Sequence, residues 1–398
     1  MSTGYLKIIN GNIITPNGIV EKGSLLIRGK KIIEVSNGKG ISDTWKESPV
    51  LDAKGLYVAP GCIDMHVHGG AGHDFLEATP EAFIAIAEAH ARYGTTAMYP
   101  TLAVAPSKLF YQAFNTFSQL QKLEWKGASL LGLHLEGNYI NPKYKGAQDP
   151  RYIQLPNPEE YKSMLDATDC IKRWSAAPEL AGALDFARYA TDRGVIVSLA
   201  HTDADYSVVE AGLEAGFMHV THFYNAMQGV HKQREYKKEG TIESVYLLDD
   251  LTVEIISDGV HLPPAILRLV HKIKGIERIA LVTDCCAAGA GASDAKCFDP
   301  RVIIEEGVAK LADRSALAGS IATADRLIRT MVKQAGIPLV DAVRMASETP
   351  ARIMKIDYQK GSLQKGKDAD IILFDEDIHV RATLVEGKIV YIQDGMEL

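Results

Sequence analysis

The sequence predicts an α/β protein: an eight-stranded β/α (TIM) barrel with a small β-sandwich built from both chain termini. Three observations point there. Between about Tyr57 and Asp357, apolar strand-like runs alternate with helical patterns, the signature of a parallel α/β architecture. Polar residues able to do chemistry fall at the ends of those runs, where barrels of this class carry their sites. Short strand-like runs broken by turn dipeptides flank the region on both sides.

At the N-terminal end, Leu6 to Ile9, Asn12 to Thr15, Leu25 to Arg28 and Lys31 to Val35 read as strands. Ala369 to Phe374, Ala382 to Glu386 and Lys388 to Ile392 match them at the far end, the last two split by a Glu-Gly-Lys hairpin turn. Residues 1–56 and 358–398 are therefore expected to form the sandwich, and 57–357 the barrel. Its eight strands are expected at Val58 to His66, Thr95 to Pro100, Leu130 to Glu136, Ile171 to Ala176, Val195 to His201, His219 to His222, Thr252 to Ser257 and Ile279 to Asp284. Pro80 to Tyr93 and Thr323 to Ala335 are among the intervening helices. Asn138 to Pro158 and Ala287 to Ala318 are too long for simple connections and read as loops over a site. An open doubly wound sheet is the competing architecture, but no GxGxxG follows a first strand to mark a dinucleotide crevice.

Composition narrows the function classes. The 398 residues are 46% hydrophobic, enough for a large core, and carry a net charge of -7 with both signs interspersed. Without a basic stripe, nucleic acid is not an expected partner. No run approaches the eighteen apolar residues of a membrane span, and Met1 to Asn10 lack a leader pattern, so a cytoplasmic protein is expected. Five cysteines, Cys62, Cys170, Cys285, Cys286 and Cys297, lack paired CxxC spacing and argue for reduced thiols rather than a disulfide framework or a Cys-based zinc site.

The chemistry concentrates in histidines and carboxylates. In Asp64-Met-His66-Val-His68 the period of two puts both imidazoles on one face of a strand. Such a pair either grips an ion or lines a polar lumen. Glu136, His201 and His222 arrive from three further strand ends, and that convergence favours a metal centre. Imidazole with carboxylate suits zinc, iron, manganese or cobalt better than calcium or magnesium, and zinc or iron is the expectation. His134 should share the face of Glu136 and reads as a neighbour of the ligands or a lumen group; His219 reads as structural, and His90, His271 and His379 as packing or surface residues.

Asp284, ending the last strand, can touch a metal and accept a proton from water. Asn225, Ala226 and His261 follow the sixth and seventh strands as candidate substrate contacts. Asp258, in an Asp-Gly pair, reads as turn chemistry. Arg234 lies in a charged run that either binds phosphate or is a solvated loop.

Taken together, Pro60-Gly-Cys-Ile-Asp64-Met-His66-Val-His68, His134-Leu-Glu-Gly137, Ala200-His-Thr202, Thr221-His-Phe-Tyr-Asn-Ala-Met227, Ser257-Asp-Gly-Val-His261 and Leu281-Val-Thr-Asp284 resemble the N-acetylglucosamine-6-phosphate deacetylases of the amidohydrolase superfamily. The resemblance spans nearly the entire chain, and Ala318-Gly-Ser320 adds a weaker agreement. It implies a metal held by Glu136, His201 and His222, with Asp284 as general base and then acid. It also implies room for a second ion on His66, His68 and Asp284, with Glu136 bridging. His261, the Asn225-Ala226 backbone and an arginine in the Arg234 position would grip a sugar phosphate, in a homodimer. Two departures stand out: Asn138 replaces a usual proline, and Gln148 stands where single-metal relatives use a histidine to polarise the acetyl carbonyl. The Arg-Glu-Pro-Gly stretch of relatives reads Arg234-Glu-Tyr-Lys. Rival readings are an amidohydrolase for N-acetylgalactosamine 6-phosphate or an N-acyl amino acid, and a non-catalytic amino-sugar-phosphate sensor.

Overall fold

Branched apolar residues in the N-terminal segment build a long hairpin, Tyr5–Thr15 against Gly18–Arg28, extended by Lys31–Ser36. The computed structural model describes residues 4–36, 48–291 and 297–396. The C-terminal strands Ile371–Phe374, Val380–Val385 and Lys388–Ile392 join the same sheet, through Tyr57–Pro60, which pairs with Tyr5–Thr15 on one side and Ile371–Phe374 on the other. Both ends of the chain thus share one eight-stranded sheet. Its inner surface closes on a core of its own, with Ile8, Ile13, Leu25, Leu51, Ile371 and Leu384 all buried.

The barrel follows in chain order: Cys62–Val67, Thr95–Leu102, Leu133–Glu136, Ile171–Ala176, Ile196–Leu199, Phe217–Val220, Thr252–Ile255 and Ile279–Leu281. Each strand pairs in parallel with the next. The ring closes where Asp284 N–H donates to the His66 carbonyl at 2.9 Å and Cys285 bridges to Val67. Among the outer helices, Pro80–Ala91 starts at Thr79, whose hydroxyl accepts from Ala82 N–H, with proline in its first turn. The expected helix at 323–335 forms as Ala324–Arg329 and then widens into a π turn, Thr330–Gln334. Among the described residues no helix is long and apolar enough to cross a membrane.

Two expected strands are corrected. Val58 to His66 is not continuous: it breaks at Gly61, leaving Tyr57–Pro60 in the terminal sheet and Cys62–Val67 in the barrel. A Cβ on Gly61 would stand 2.1 Å from the Thr96 side chain, so only glycine lets the crossing chain lie against the second barrel strand. Leu130 to Glu136 likewise divides into Ser129–Leu130 and Leu133–Glu136.

The interior of the barrel is polar. His66, His134, Arg173, Ser175, Ser198, His219, Thr221 and Glu254 are all fully buried, and they satisfy one another. Arg173 donates to Glu254 Oε2 at 2.5 Å, to Ser198 Oγ at 2.8 Å and to Thr221 Oγ1 at 2.8 Å. His134 lies between Thr101 and Ser175, and His219 between Thr252 and Glu254. A buried charge survives only when paired and hydrogen-bonded, and this network supplies both conditions beneath the barrel mouth.

Gly61→Ala is expected to lower stability by about 1–3 kcal/mol through overpacking against Thr96, read as a lower melting temperature in a thermal melt; an unchanged melt would show that the crossing has slack.

Candidate metal centre

The barrel mouth gathers the sequence-predicted ligands because each lies at or just past a strand end. His201, His222 and Asp284 hold φ of 45°, 27° and 47°, a left-handed backbone that is rare for residues with a Cβ. That bend turns each side chain out of its strand direction and into the mouth.

Two overlapping triads result: His66, His68 and Glu136, and Glu136, His201 and His222. Glu136 is common to both. Its Oε1 lies 2.9 Å from His222 Nε2, 3.3 Å from His201 Nε2 and 3.5 Å from His66 Nε2, while Oε2 lies 3.2 Å from His68 Nε2. Asp284 Oδ1 lies 3.4 Å from His66 Nε2 and 3.2 Å from His68 Nε2. Within each triad the two imidazoles approach Nε2 to Nε2 at 3.1 Å.

The residues fit a divalent cation. Ligand atoms about 2.0–2.2 Å from a tetrahedral ion stand roughly 3.3–3.6 Å from one another, close to the separations found here. Two tautomers are set by their far sides. His201 Nδ1 donates to the Tyr144 carbonyl at 2.7 Å, and His66 Nδ1 lies 2.6 Å from Glu254 Oε1, so both Nε2 lone pairs face inward. Facing lone pairs need a positive charge between them, a proton or a metal.

Electrostatics agree. Burial works against charge on His66, but the carboxylates of Asp284, Glu136 and Glu254 outweigh it and hold the ring up at about 10. Burial likewise opposes charge on His68, whose ring is nevertheless raised well above its ordinary value by Asp284 and Glu136. Glu136 is buried, yet the imidazoles of His66, His201 and His222 keep its carboxyl well below the usual range. Asp284, opposed by burial and favoured by His66 and His68, is also lowered. Without a metal, protons bound on histidine compensate the acids; a cation would replace them.

The triads open into a cleft of about 820 Å³, walled by His68, Glu136, Gln148, Asn225, Ala226, His261 and Asp284 among others. Gln148 accepts from Val104 N–H at 2.9 Å and donates to Glu136 Oε2 at 2.6 Å. His261 is oriented by Asp258, whose Oδ2 lies 2.9 Å from its Nδ1 while Oδ1 caps the backbone of Val260 and His261. Asp258 therefore does the turn work read from sequence and also aims an imidazole. Asn225 and Ala226 sit in a tight turn, with Asn225 N–H donating to the His222 carbonyl at 2.9 Å. Of the long connections, 138–158 and parts of 287–318 form walls of the cleft; residues 292–296 lie outside the described residues. Arg234 is not among the walls: it tops an exposed hairpin, His231–Gln233 with Tyr236–Lys238, at φ 58°.

Three participants escaped sequence reading. Glu254 supports both triads, binding His66 Nδ1 and accepting from His222 N–H at 3.0 Å, and Arg173 anchors Glu254 from below. Their signal was a charged residue inside an apolar strand run. Asp64, whose carboxyl burial pushes up to about 7 against its bonds to Thr283, ties the first strand to the last, accepting from Thr283 Oγ1 at 2.5 Å.

Because the cation must displace protons from His66 and His68, zinc affinity of chelator-stripped protein is expected to rise from about pH 6 to about pH 8, with proton release visible by calorimetry in buffers of different ionisation enthalpy. A pH-independent affinity would mean that these rings do not take up metal. Glu254→Gln is expected to weaken zinc binding roughly ten- to hundredfold and to lower the melting temperature by leaving Arg173 underpaired.

Comparison with known proteins places the geometry. The amidohydrolase family model matches residues 57–395. An N-acetylglucosamine-6-phosphate deacetylase of Vibrio furnissii is 33% identical over 334 residues, 83% of this chain and 82% of its own. An N-acetylgalactosamine-6-phosphate deacetylase of Escherichia coli O157:H7 is 33% identical over 336 residues, 83% of this chain and 87% of its own. The crystal structure of the Pasteurella multocida N-acetylglucosamine-6-phosphate deacetylase superposes with a TM-score of 0.90 at 27% identity, covering 97% of this chain and 99% of that one. With the family model spanning the barrel and both triads, the chain belongs to the amidohydrolase family.

Proposed function

We propose that this chain is a metal-dependent deacetylase that hydrolyses N-acetyl-D-glucosamine 6-phosphate to D-glucosamine 6-phosphate and acetate. The observation that carries the reading is the convergence on one open cleft of two triads sharing Glu136 with Asp284 at hydrogen-bonding distance from both histidines of the first. The names of the Vibrio and Pasteurella relatives support the substrate.

His66, His68, Glu136, His201 and His222 would hold zinc or iron, as one ion or as two with Glu136 between them. When bound, the cation acidifies a water toward neutrality and polarises the amide carbonyl, which an amide requires for hydrolysis at neutral pH. The chain's own groups supply the rest. Asp284, which faces His66 and His68, takes the proton of the attacking water and returns it to the departing amine. Gln148 uses one amide N–H on Glu136 and retains a second for the acyl oxygen as negative charge develops there. His261, pinned by Asp258, and the turn at Asn225 and Ala226 face the same cleft and orient the sugar. Arg234, outside its own subunit's cleft, is assigned to the phosphate across a homodimer interface, where it would reach the neighbouring cleft. A cytoplasmic setting suits a sugar-phosphate substrate.

N-acetylgalactosamine 6-phosphate is the second reading, favoured by the equal identity of the Escherichia coli relative. Against a non-catalytic sensor counts the meeting of Glu136, His201, His222 and Asp284 at one cleft.

Assayed side by side, N-acetylglucosamine 6-phosphate is expected to release acetate faster than N-acetylgalactosamine 6-phosphate and the unphosphorylated sugars little or none, with release stopping on chelation and returning with zinc or iron; a faster galactosamine form would favour the second reading, and release from none of them under either metal would discard the substrate class. Asp284→Asn is expected to lower kcat roughly 10²–10⁴-fold with bound metal retained by elemental analysis, and near-normal turnover would remove it from the mechanism.

A further inference from the structure

Two segments that wall the cleft carry the same tripeptide, Asp149-Pro150-Arg151 and Asp299-Pro300-Arg301. They fold alike. In each, the aspartate Oδ1 accepts the backbone N–H of the arginine two residues on, at 3.0 and 2.8 Å. The arginine then folds back on that same carboxylate, with Nε at 3.0 Å and Nη2 at 2.5 Å in both copies. Arg301 Nη2 also donates to the Ala147 carbonyl at 3.1 Å, which ties the two segments together. Ala147 immediately precedes Gln148, the residue bonded to Glu136.

One edge of each guanidinium is thereby committed, and Nη1 of each has no partner among the described residues. The side chains are 74% and 41% exposed, and both residues line the cleft. Lys143, the other cation of the cleft wall, is already paired with Asp203 at 2.9 Å. A guanidinium only donates, and its planar edge matches the oxygens of a phosphate or carboxylate. Holding it by the far edge removes much of the ordering cost of binding. Stiffening the two turns would need only the aspartate cap on the backbone; it leaves unexplained why both copies end in arginine and both line the cleft that holds the triads.

We propose that Arg151 and Arg301 together grip an anionic group of the substrate, the phosphate ester on the amino-sugar reading above, from the wall of the cleft's own subunit and in addition to the contact assigned to Arg234. The inference rests on that reading for the identity of the anion and not for the clamp itself. The test is steady-state kinetics of Arg151→Gln, Arg301→Gln and the double variant with N-acetylglucosamine 6-phosphate, N-acetylglucosamine and an N-acetyl amino acid. Direct titration of the phosphorylated and plain sugars into the metal-loaded Asp284→Asn protein, with and without the arginine changes, gives a readout independent of turnover.

Each single change is expected to raise KM and Kd for the phosphorylated sugar roughly ten- to hundredfold, with kcat and the plain sugar little affected. Arg→Lys at either site should restore only part, because the charge returns without the planar edge. A loss confined to the N-acetyl amino acid, with no binding of the sugar phosphate by the parent protein, would keep the clamp and sink the sugar-phosphate reading. Equal losses for charged and uncharged substrates, or none, in proteins of unchanged melting temperature would overturn the clamp.

Discussion

Everything at the barrel mouth depends on Glu136 being shared. One carboxylate is approached by four Nε2 atoms from four histidines on three strands, and such crowding is tolerable only with positive charge in the middle. The interior network answers to that demand. Glu254 fixes His66 from behind and holds the backbone of His222, while Arg173 balances Glu254. The polar lumen is thus the supporting frame of the site, and its buried charges are the condition for aiming the rings.

Much of this was legible in the sequence. The period of two in His66-Val67-His68 and the positions of Glu136, His201, His222 and Asp284 just beyond apolar runs reflect the geometry of a parallel barrel, in which strand ends converge. The interior pairing was not legible. Glu254 and Arg173 sit mid-strand, and whether a mid-strand charge faces water or the lumen depends on which face the closed ring turns inward, a property of the whole barrel. Local hydropathy also hid the break at Gly61, since Tyr57–Pro60 and Cys62–Val67 are buried alike although they belong to different sheets.

Arg234 and Gln148 show the reach and the limit of family resemblance. Gln148 stands in the cleft beside Glu136. Arg234 crowns an exposed hairpin, so a role in catalysis requires a second subunit. The twin Asp-Pro-Arg turns passed unnoticed in sequence because each alone is ordinary turn chemistry. Their meaning comes from being brought to one cleft wall by segments distant in the chain.

The ring of strands closes through Asp284 itself, whose backbone N–H binds the His66 carbonyl while its side chain faces the His66 ring. The last clasp of the fold and the residue proposed to carry the proton are one. On that proposal, a chain whose final strand has not docked has neither a finished barrel nor a working acid, so half-assembled molecules would be silent. An ion seated across the first and last strands would then lock that clasp, making metal supply a control on how long the folded enzyme persists.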